Sequence, residues 1–577
     1  MILRSSPALP GHLARWGGPT GGLALATTLV LAALVLPPLA VLLQVSLTET
    51  RPDGSAGAVT LTHYAHLFAD PSLYASAMHS VLFAALAMAV SVLFGGTLAW
   101  VVERTNAPLK GLAYVTTIIS MGTPYILYVT AWLFLFGRAG PFNDLYRTLS
   151  GSDGLLFNVY SLWGMVLVEG FLWSPLVFLL LSATFRAANA EMEEAARMSG
   201  ASILDTVRCI SLPLARPALL AMALFVFIRN LESFDVPVLI GTPGRISLLT
   251  TDIFLSTQQV PPQLGHASAF SVVLILLVSV LLLFYGRIAR NAERYASVTG
   301  KGFRPRPFDL GPARWAGGAL ILFNFVIVLA LPLAALLWTS LTPFVRPMRL
   351  AGLRVLTLKN YAAVLHDASY LQLAVNTLIV AAVAATAAML LTLVAGWLAA
   401  RRRPGGTVID QLATLPLVFP GIVLGVAMME VALRAPFPLY GTLSIIALGF
   451  LIRYMPYGMR YAYSGALQIH RELEEAAGVA GASPLGVLRR IVVPLLAPSL
   501  VAGWLLIFLL AAKELSMAVL LAGPSSQTMA VAMFDLWTNG QGGELSAVGL
   551  IWTLLMTLCA GALYAVMRRQ SANAFGR

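Results

Sequence analysis

Long apolar runs alternate with short polar stretches along the whole chain. In the first half the runs are Gly21 to Leu47, Val81 to Val102, Leu112 to Phe136, Tyr160 to Leu181, Ala218 to Ile240 and Ala267 to Tyr285. The second half has Ala316 to Leu341, Leu373 to Ala400, Leu412 to Leu433, Leu443 to Tyr463, Leu500 to Ala522 and Ala547 to Met567. A hydrocarbon layer about 30 Å thick is crossed by about 20 residues of helix, which satisfies its own backbone polar groups. The pattern predicts an all-α integral membrane protein with about 12 spanning helices, six in each half. The first run follows Arg4 and Arg15 and resembles a secretion signal, but it is too long and lacks a small-residue cleavage site, so a retained helix is expected.

Composition agrees with lipid as the solvent. Hydrophobic residues make up 58% of the 577 positions and charged residues 11%, and mean hydropathy is +0.82, whereas soluble domains carry roughly 25% charge. The net charge of +12 does not point to nucleic acid, because the basic residues are spread over short loops instead of one soluble face. With the N-terminus inside, 25 of the 37 Lys and Arg residues fall on the cytoplasmic side, including Arg287, Arg290, Arg294, Lys301, Arg304, Arg306 and Arg314. Nine fall outside: Arg51, Arg138, Arg147, Arg245, Arg346, Arg349, Arg354, Lys359 and Arg434. The positive-inside rule then places both termini in the cytoplasm. Cys209 and Cys559, the only cysteines, imply no disulfide or thiolate metal site.

The halves repeat one another. Tyr64, Trp100 and Arg104 match Tyr361, Trp397 and Arg401 at an offset of 297. Pro175, Glu194, Gly200, Ile210 and Pro213 then match Pro456, Glu475, Gly481, Ile491 and Pro494 at 281. The polar stretch Gly137 to Asn158 accounts for the difference. Units with an even number of spans enter the membrane in the same sense, so the copies are parallel repeats. The expected division is a first repeat over 1–290, a cytoplasmic linker over 291–314 and a second repeat over 315–577.

The polar loops after the fourth span of each half carry the most specific pattern. One runs from Glu191 through Glu194, Ala195, Ala196 and Gly200 to Ile210 and Pro213. The other runs from Glu472 through Glu475, Ala476, Ala477 and Gly481 to Ile491 and Pro494. Acidic residues suit the positive start of a short helix, and Gly can adopt the left-handed conformation that ends it. A second short helix is expected to run up to the Pro. Small Ala side chains beside a Glu suit close docking on another protein; an ordinary loop helix with a glycine cap explains one copy, but not two with identical internal spacing.

Glu-Ala-Ala, three residues, Gly, nine residues, Ile, one residue, then a hydrophobic residue and Pro resembles the signature of permeases from binding-protein-dependent ATP-binding cassette importers. The resemblance covers nearly the whole chain and implies that family's permease fold, here with two copies fused. It implies that the loops are coupling helices, that Glu194 and Glu475 meet basic groups on two copies of an ATPase subunit, and that Gly200 and Gly481 set the bend. It further implies a periplasmic substrate-binding protein and a place in the bacterial inner membrane.

No Gly-Lys-Ser/Thr phosphate loop occurs, since Lys110, Lys301, Lys359 and Lys513 precede Gly, Gly, Asn and Glu. ATP and Mg are therefore expected in the partner, with no catalysis and no bound cofactor in this chain. Arg229, Glu232 and Asp235 fall on the fifth expected span and Lys513 with Glu514 on the eleventh, where buried charge faces protein or water. Glu232, Asp235 and Glu514 are candidates for contact with passing cargo, although Arg229 and Glu232, three residues apart, can equally neutralise each other. No partner can be assigned from sequence to Glu169, Glu430 or Arg453. The stretch from Leu231 to Gly241 with Thr251 to Phe254 looks like the corresponding part of fused ferric-iron permeases. Ferric iron is thus the first expectation for cargo, with thiamine, polyamine, sulfate or phosphonate as alternatives. An ion-gradient-driven transporter with parallel repeats is the rival class, and a membrane scaffold ranks behind it.

Overall fold

A computed structural model describes residues 21–50, 56–187, 190–293, 307–346, 348 and 350–575. Arg4, Arg15, Arg51, Arg294, Lys301, Arg304, Arg306 and Arg349, with most of the expected linker, lie outside the described residues. Among the described residues nine helices are long and apolar enough to cross a membrane, and two bent pairs bring the number to eleven. The place of the tenth expected span is taken by Leu443–Gln468, 26 residues long but made less apolar than the others by Arg453, Tyr454, Tyr457 and Arg460. The only strands described are Thr48–Thr50 and Ala56–Val59, an antiparallel pair after the first helix.

Four expected spans are corrected. The third span is not one helix: Lys110–Gly122 and the following segment from Tyr125 meet at 109°, and the equivalent pair at Gly421 meets at 105°. Pro124 and Pro420 stand at these breaks, each preceded by an extended residue, Thr123 or Phe419, as the clash of a proline ring with the residue before it requires. The fifth and eleventh spans begin earlier than expected, at Ile203 and Pro484, and end at Leu231 and Ala511. Pro213 and Pro494 do not stop a helix. They lie inside these spans just after a wide π-turn, Val207–Ser211 or Leu488–Val492, the local widening by which a membrane helix accommodates a proline.

The second and fourth helices form the most extensive pair of each half, Pro71–Arg104 on Leu162–Ala187 and Ala368–Ala400 on Leu443–Gln468. Glycine makes the approach possible. A Cβ on Gly95 would lie 2.6 Å from the Ser174 carbonyl, and one on Gly396 would lie 2.8 Å from Ala462 Cβ, the small-residue packing by which helices associate in lipid. The repeat extends into local chemistry. Asp70 and Asp367 each cap the second helix, accepting from Ser72 N and Ser369 N at 2.8 Å. Tyr64 and Tyr361 each bond the end of the preceding spanning helix, at Ser46 and Ser340, also at 2.8 Å.

The copies interlock through their first helices. Gly21–Ser46 packs against Gly406–Thr414 and Gly421–Leu433 of the second half, and Arg434 donates to Gln44 at 2.9 Å. Reciprocally, Arg314–Phe325 and Leu331–Ser340 pack on Lys110–Gly122 and Tyr125–Phe136 of the first. After the linker, Phe308 N donates to the Arg104 carbonyl at 2.7 Å and Asn106 donates to Asp309 at 2.6 Å. Opening the chain between residues 293 and 307 and coexpressing the pieces is therefore expected to return one complex on affinity purification through either piece. Recovery of each piece alone and stable would show that the exchanged helices do not hold the copies together.

Candidate functional site

Both polar loops fold in the same way. Ala190–Met198 and Arg471–Val479 are single short helices, each ended by glycine, Gly200 with φ +86° and Gly481 with φ +85°. Ala201 N then bonds the Ala196 carbonyl and Ala482 N the Ala477 carbonyl, both at 3.0 Å, closing the six-to-one turn that a left-handed residue permits. Ser202 and Ser483 cap the next segment by accepting from Asp205 N and Gly486 N. Each segment passes through one wide π-turn, Val207–Ser211 or Leu488–Val492, before entering the membrane helix.

Each loop helix is anchored by a buried carboxylate one residue before the Glu-Ala-Ala triplet. Glu193 pairs with Arg104 and accepts from the Ser211 hydroxyl at 2.6 Å. Glu474 pairs with Arg401 at 2.6 Å and accepts from Trp397 Nε1 at 3.1 Å. Arg104 and Arg401 end the second helices, so these latches tie the loop helices to the membrane-spanning body. Sequence reasoning missed Glu193 and Glu474. The available signal was that two acids related by 281 accompany two arginines related by 297.

With Glu193 and Glu474 turned inward, the neighbouring residues turn outward. Glu475 is exposed and Glu194 half-buried; Ala195 and Ala476 are exposed, and Ala196 and Ala477 half-buried. Gly200, Gly481, Pro213 and Pro494 are exposed, while Ile210 and Ile491 sit half-buried in the π-turns. Three apolar side chains per loop also face outward at matched positions: Met192, Met198 and Leu204 in one, Leu473, Val479 and Leu485 in the other. Equivalent apolar residues are thus left exposed on two matched elements, a surface of the kind that suits a partner.

The candidate pathway residues come together between the halves, beyond the helix ends and not within the spans. Glu232 caps Leu212–Leu231 and accepts from Arg229 at 2.6 Å. Its counterpart Glu514 lies 3.3 Å from Arg453, accepts from Tyr454 OH at 2.5 Å and also takes the Ser516 hydroxyl. The two glutamates are thus neutralised differently, one from its own helix and one from the neighbouring fourth helix. Asp235 lies beside them, with Oδ1 buried and unpartnered. Glu169 accepts from Trp173 at 3.0 Å and Ser233 at 3.1 Å, and Glu430 lies 3.6 Å from Arg434. Lys513 donates to the Met121 carbonyl at 3.0 Å and stands 4.3 Å from the Tyr125 ring centroid. Glu232, Glu514, Arg229, Arg453 and Lys513 border a cavity of about 360 Å³ between the copies. The same five residues, now with Asp235 and Glu169, also border an adjoining chamber of about 40 Å³.

The chain has relatives among known proteins. A family described as binding-protein-dependent transport system inner membrane component matches residues 91–294 and again 392–572. A ferric transport system permease protein, FbpB, from Actinobacillus pleuropneumoniae is 27% identical over 474 residues, covering 81% of this chain and 67% of that protein. The Fe(3+)-transport system permease protein FbpB 2 of Haemophilus influenzae is 22% identical over 461 residues, covering 77% and 85%. Among solved structures, a bacterial transporter involved in import of the acidic polysaccharide alginate aligns with 45% of this chain and 96% of its own, with a TM-score of 0.36 and 14% identity. With the family's domain present twice and spanning more than half its length, the chain belongs to the inner membrane components of binding-protein-dependent transport systems.

Proposed function

We propose that this permease carries ferric iron from a periplasmic binding protein to the cytoplasm, powered by two copies of an ATPase subunit docked on its two Glu-Ala-Ala loops. The observation that carries the docking assignment is the repetition, at one offset, of the same outward face: a Glu, two Ala and three exposed apolar residues on helices latched to the membrane body. Two equivalent surfaces on one chain suit two identical partners. Both termini then lie in the cytoplasm with the loops, and ATP and Mg belong to the partner. The names of relatives 27% and 22% identical support ferric iron as cargo.

The test is coexpression with genomic neighbours, copurification and an ATPase assay in lipid with and without candidate binding proteins, followed by uptake of radiolabelled ferric iron. Hydrolysis stimulated by a binding protein, with iron accumulating in proportion, is expected. Purification as a lone transporter indifferent to ATP and responsive to an ion gradient would transfer the chain to the ion-coupled class. Stimulated hydrolysis with thiamine or phosphonate accumulating in place of iron would keep the importer and replace its cargo.

A further inference from the structure

We infer that a second cleft between the copies, remote in sequence from the central charges, binds a small oxyanion such as a carboxylate or phosphate through Arg138 and Arg346. In the orientation proposed above this cleft opens to the periplasm, so its place beside delivered cargo rests on the importer reading. It measures about 360 Å³, within the size range of small-molecule sites. Phe134 and Tyr160 of the first copy and Trp338 and Trp537 of the second give it aromatic walls.

Among the described residues two arginines and no carboxylate line this cleft, and neither arginine forms an ion pair or donates a side-chain hydrogen bond. Arg346 is half-buried and lies over the Phe344 ring, 5.6 Å from its centroid, while its carbonyl accepts from Trp338 Nε1 at 3.3 Å. The acids on the adjoining elements are engaged away from the cleft. Asp144 lies 3.6 Å from Arg147, Asp535 accepts from Gln527 at 2.9 Å, and Glu544 accepts from Tyr370 at 3.0 Å. Two helices, Pro141–Ser150 and Gly542–Phe575, also begin at the cleft, and the positive end of each adds to the charge of the arginines. Gly140, before the first of them, supplies no side-chain cap.

The repeat shows how such an arginine is satisfied when it is structural. Counted from the prolines at the two breaks, Pro124 and Pro420, Arg138 is the counterpart of Arg434. Arg434 lies 3.6 Å from Glu430 and donates to Gln44 at 2.9 Å. The first copy has Phe134 in the place of Glu430 and, counted from Ser46 and Ser340, Trp338 in the place of Gln44. Both polar partners are thus replaced by rings that wall the cleft, and the guanidinium keeps its five N–H donors for an external acceptor. Two guanidinium groups suit the paired oxygens of a carboxylate or phosphate.

Calorimetric titration of the full chain, in lipid nanodiscs with its ATPase subunits, tests this with inorganic phosphate and citrate. Saturable binding of at least one of them is expected, weakened about ten- to a hundredfold by Arg138→Gln or Arg346→Gln, the worth of a charged hydrogen bond. Phe134→Glu returns the carboxylate that the second copy has at this position and is expected to abolish binding, whereas Phe134→Gln keeps it. Thermal melts check that each variant is folded. Absence of binding by both anions, or binding equal to the parent's in the folded arginine variants, overturns the inference, and so does undiminished binding in folded Phe134→Glu. ATP hydrolysis stimulated by the binding protein is read in the same preparation. Its persistence without anion binding removes this site and leaves the importer reading standing; anion binding without stimulated hydrolysis does the reverse.

Discussion

Replacing Glu193 and Glu474 together by alanine is expected to free both loop helices while the spanning helices stay folded. Each carboxylate is buried against a buried arginine, and removing one member of such a pair leaves the other charged and unpaired, at about 3–5 kcal/mol. Hydrogen exchange over 190–198 and 471–479 should accelerate by about a hundred- to several-thousandfold, with little change in Ala368–Ala400. Exchanging the charges, Glu193→Arg with Arg104→Glu, should recover part of the protection in the first loop. Unchanged exchange in the double variant would mean that apolar contacts, such as those of Val487, Leu488 and Val492, hold the loops without the latches.

The second large effect leaves protection intact and removes partner binding. Glu194→Arg with Glu475→Arg should yield a permease that reaches the membrane and melts normally but neither retains the ATPase nor transports. Glu475 is exposed and Glu194 half-buried with Oε1 buried, and the melts check that both substitutions spare the fold. Reversing a charge that meets basic groups at an interface costs about 2–5 kcal/mol per contact. Single variants, with one intact surface, should show partial loss. Normal transport by the double variant would sink the docking assignment, and normal exchange together with lost transport would separate docking from latching.

The apolar runs, the repeat and the two loops were legible because each is a local pattern: hydrophobic length, matched residues at a constant offset, or glycine spacing. The bends at Pro124 and Pro420 were signalled by proline but obscured by apolar residues on both sides. Glu193 and Arg104 were not legible as a pair. They lie 89 positions apart, and their counterparts follow different offsets because the first copy carries the extra segment containing Pro141–Ser150. The central charges show the same limit. Glu232 and Glu514 are recognisable as equivalents, but Arg229 precedes Glu232 by three residues, whereas Arg453 reaches Glu514 from another helix. Spacing along the chain identifies the first partner and is silent about the second.

The exchange of first helices also bears on how the chain is made. Gly21–Ser46 enters the bilayer well before Gly421–Leu433, against which it packs and which is synthesised several hundred residues later. At about 5–20 residues per second, this helix waits from roughly twenty seconds to more than a minute for its final neighbour. During that interval the nascent permease presents an uncovered helix face to lipid or to membrane chaperones. Fusing the copies shortens the search that follows, since the late partner emerges tethered to the helix that awaits it, in the same membrane and at a fixed ratio of one to one.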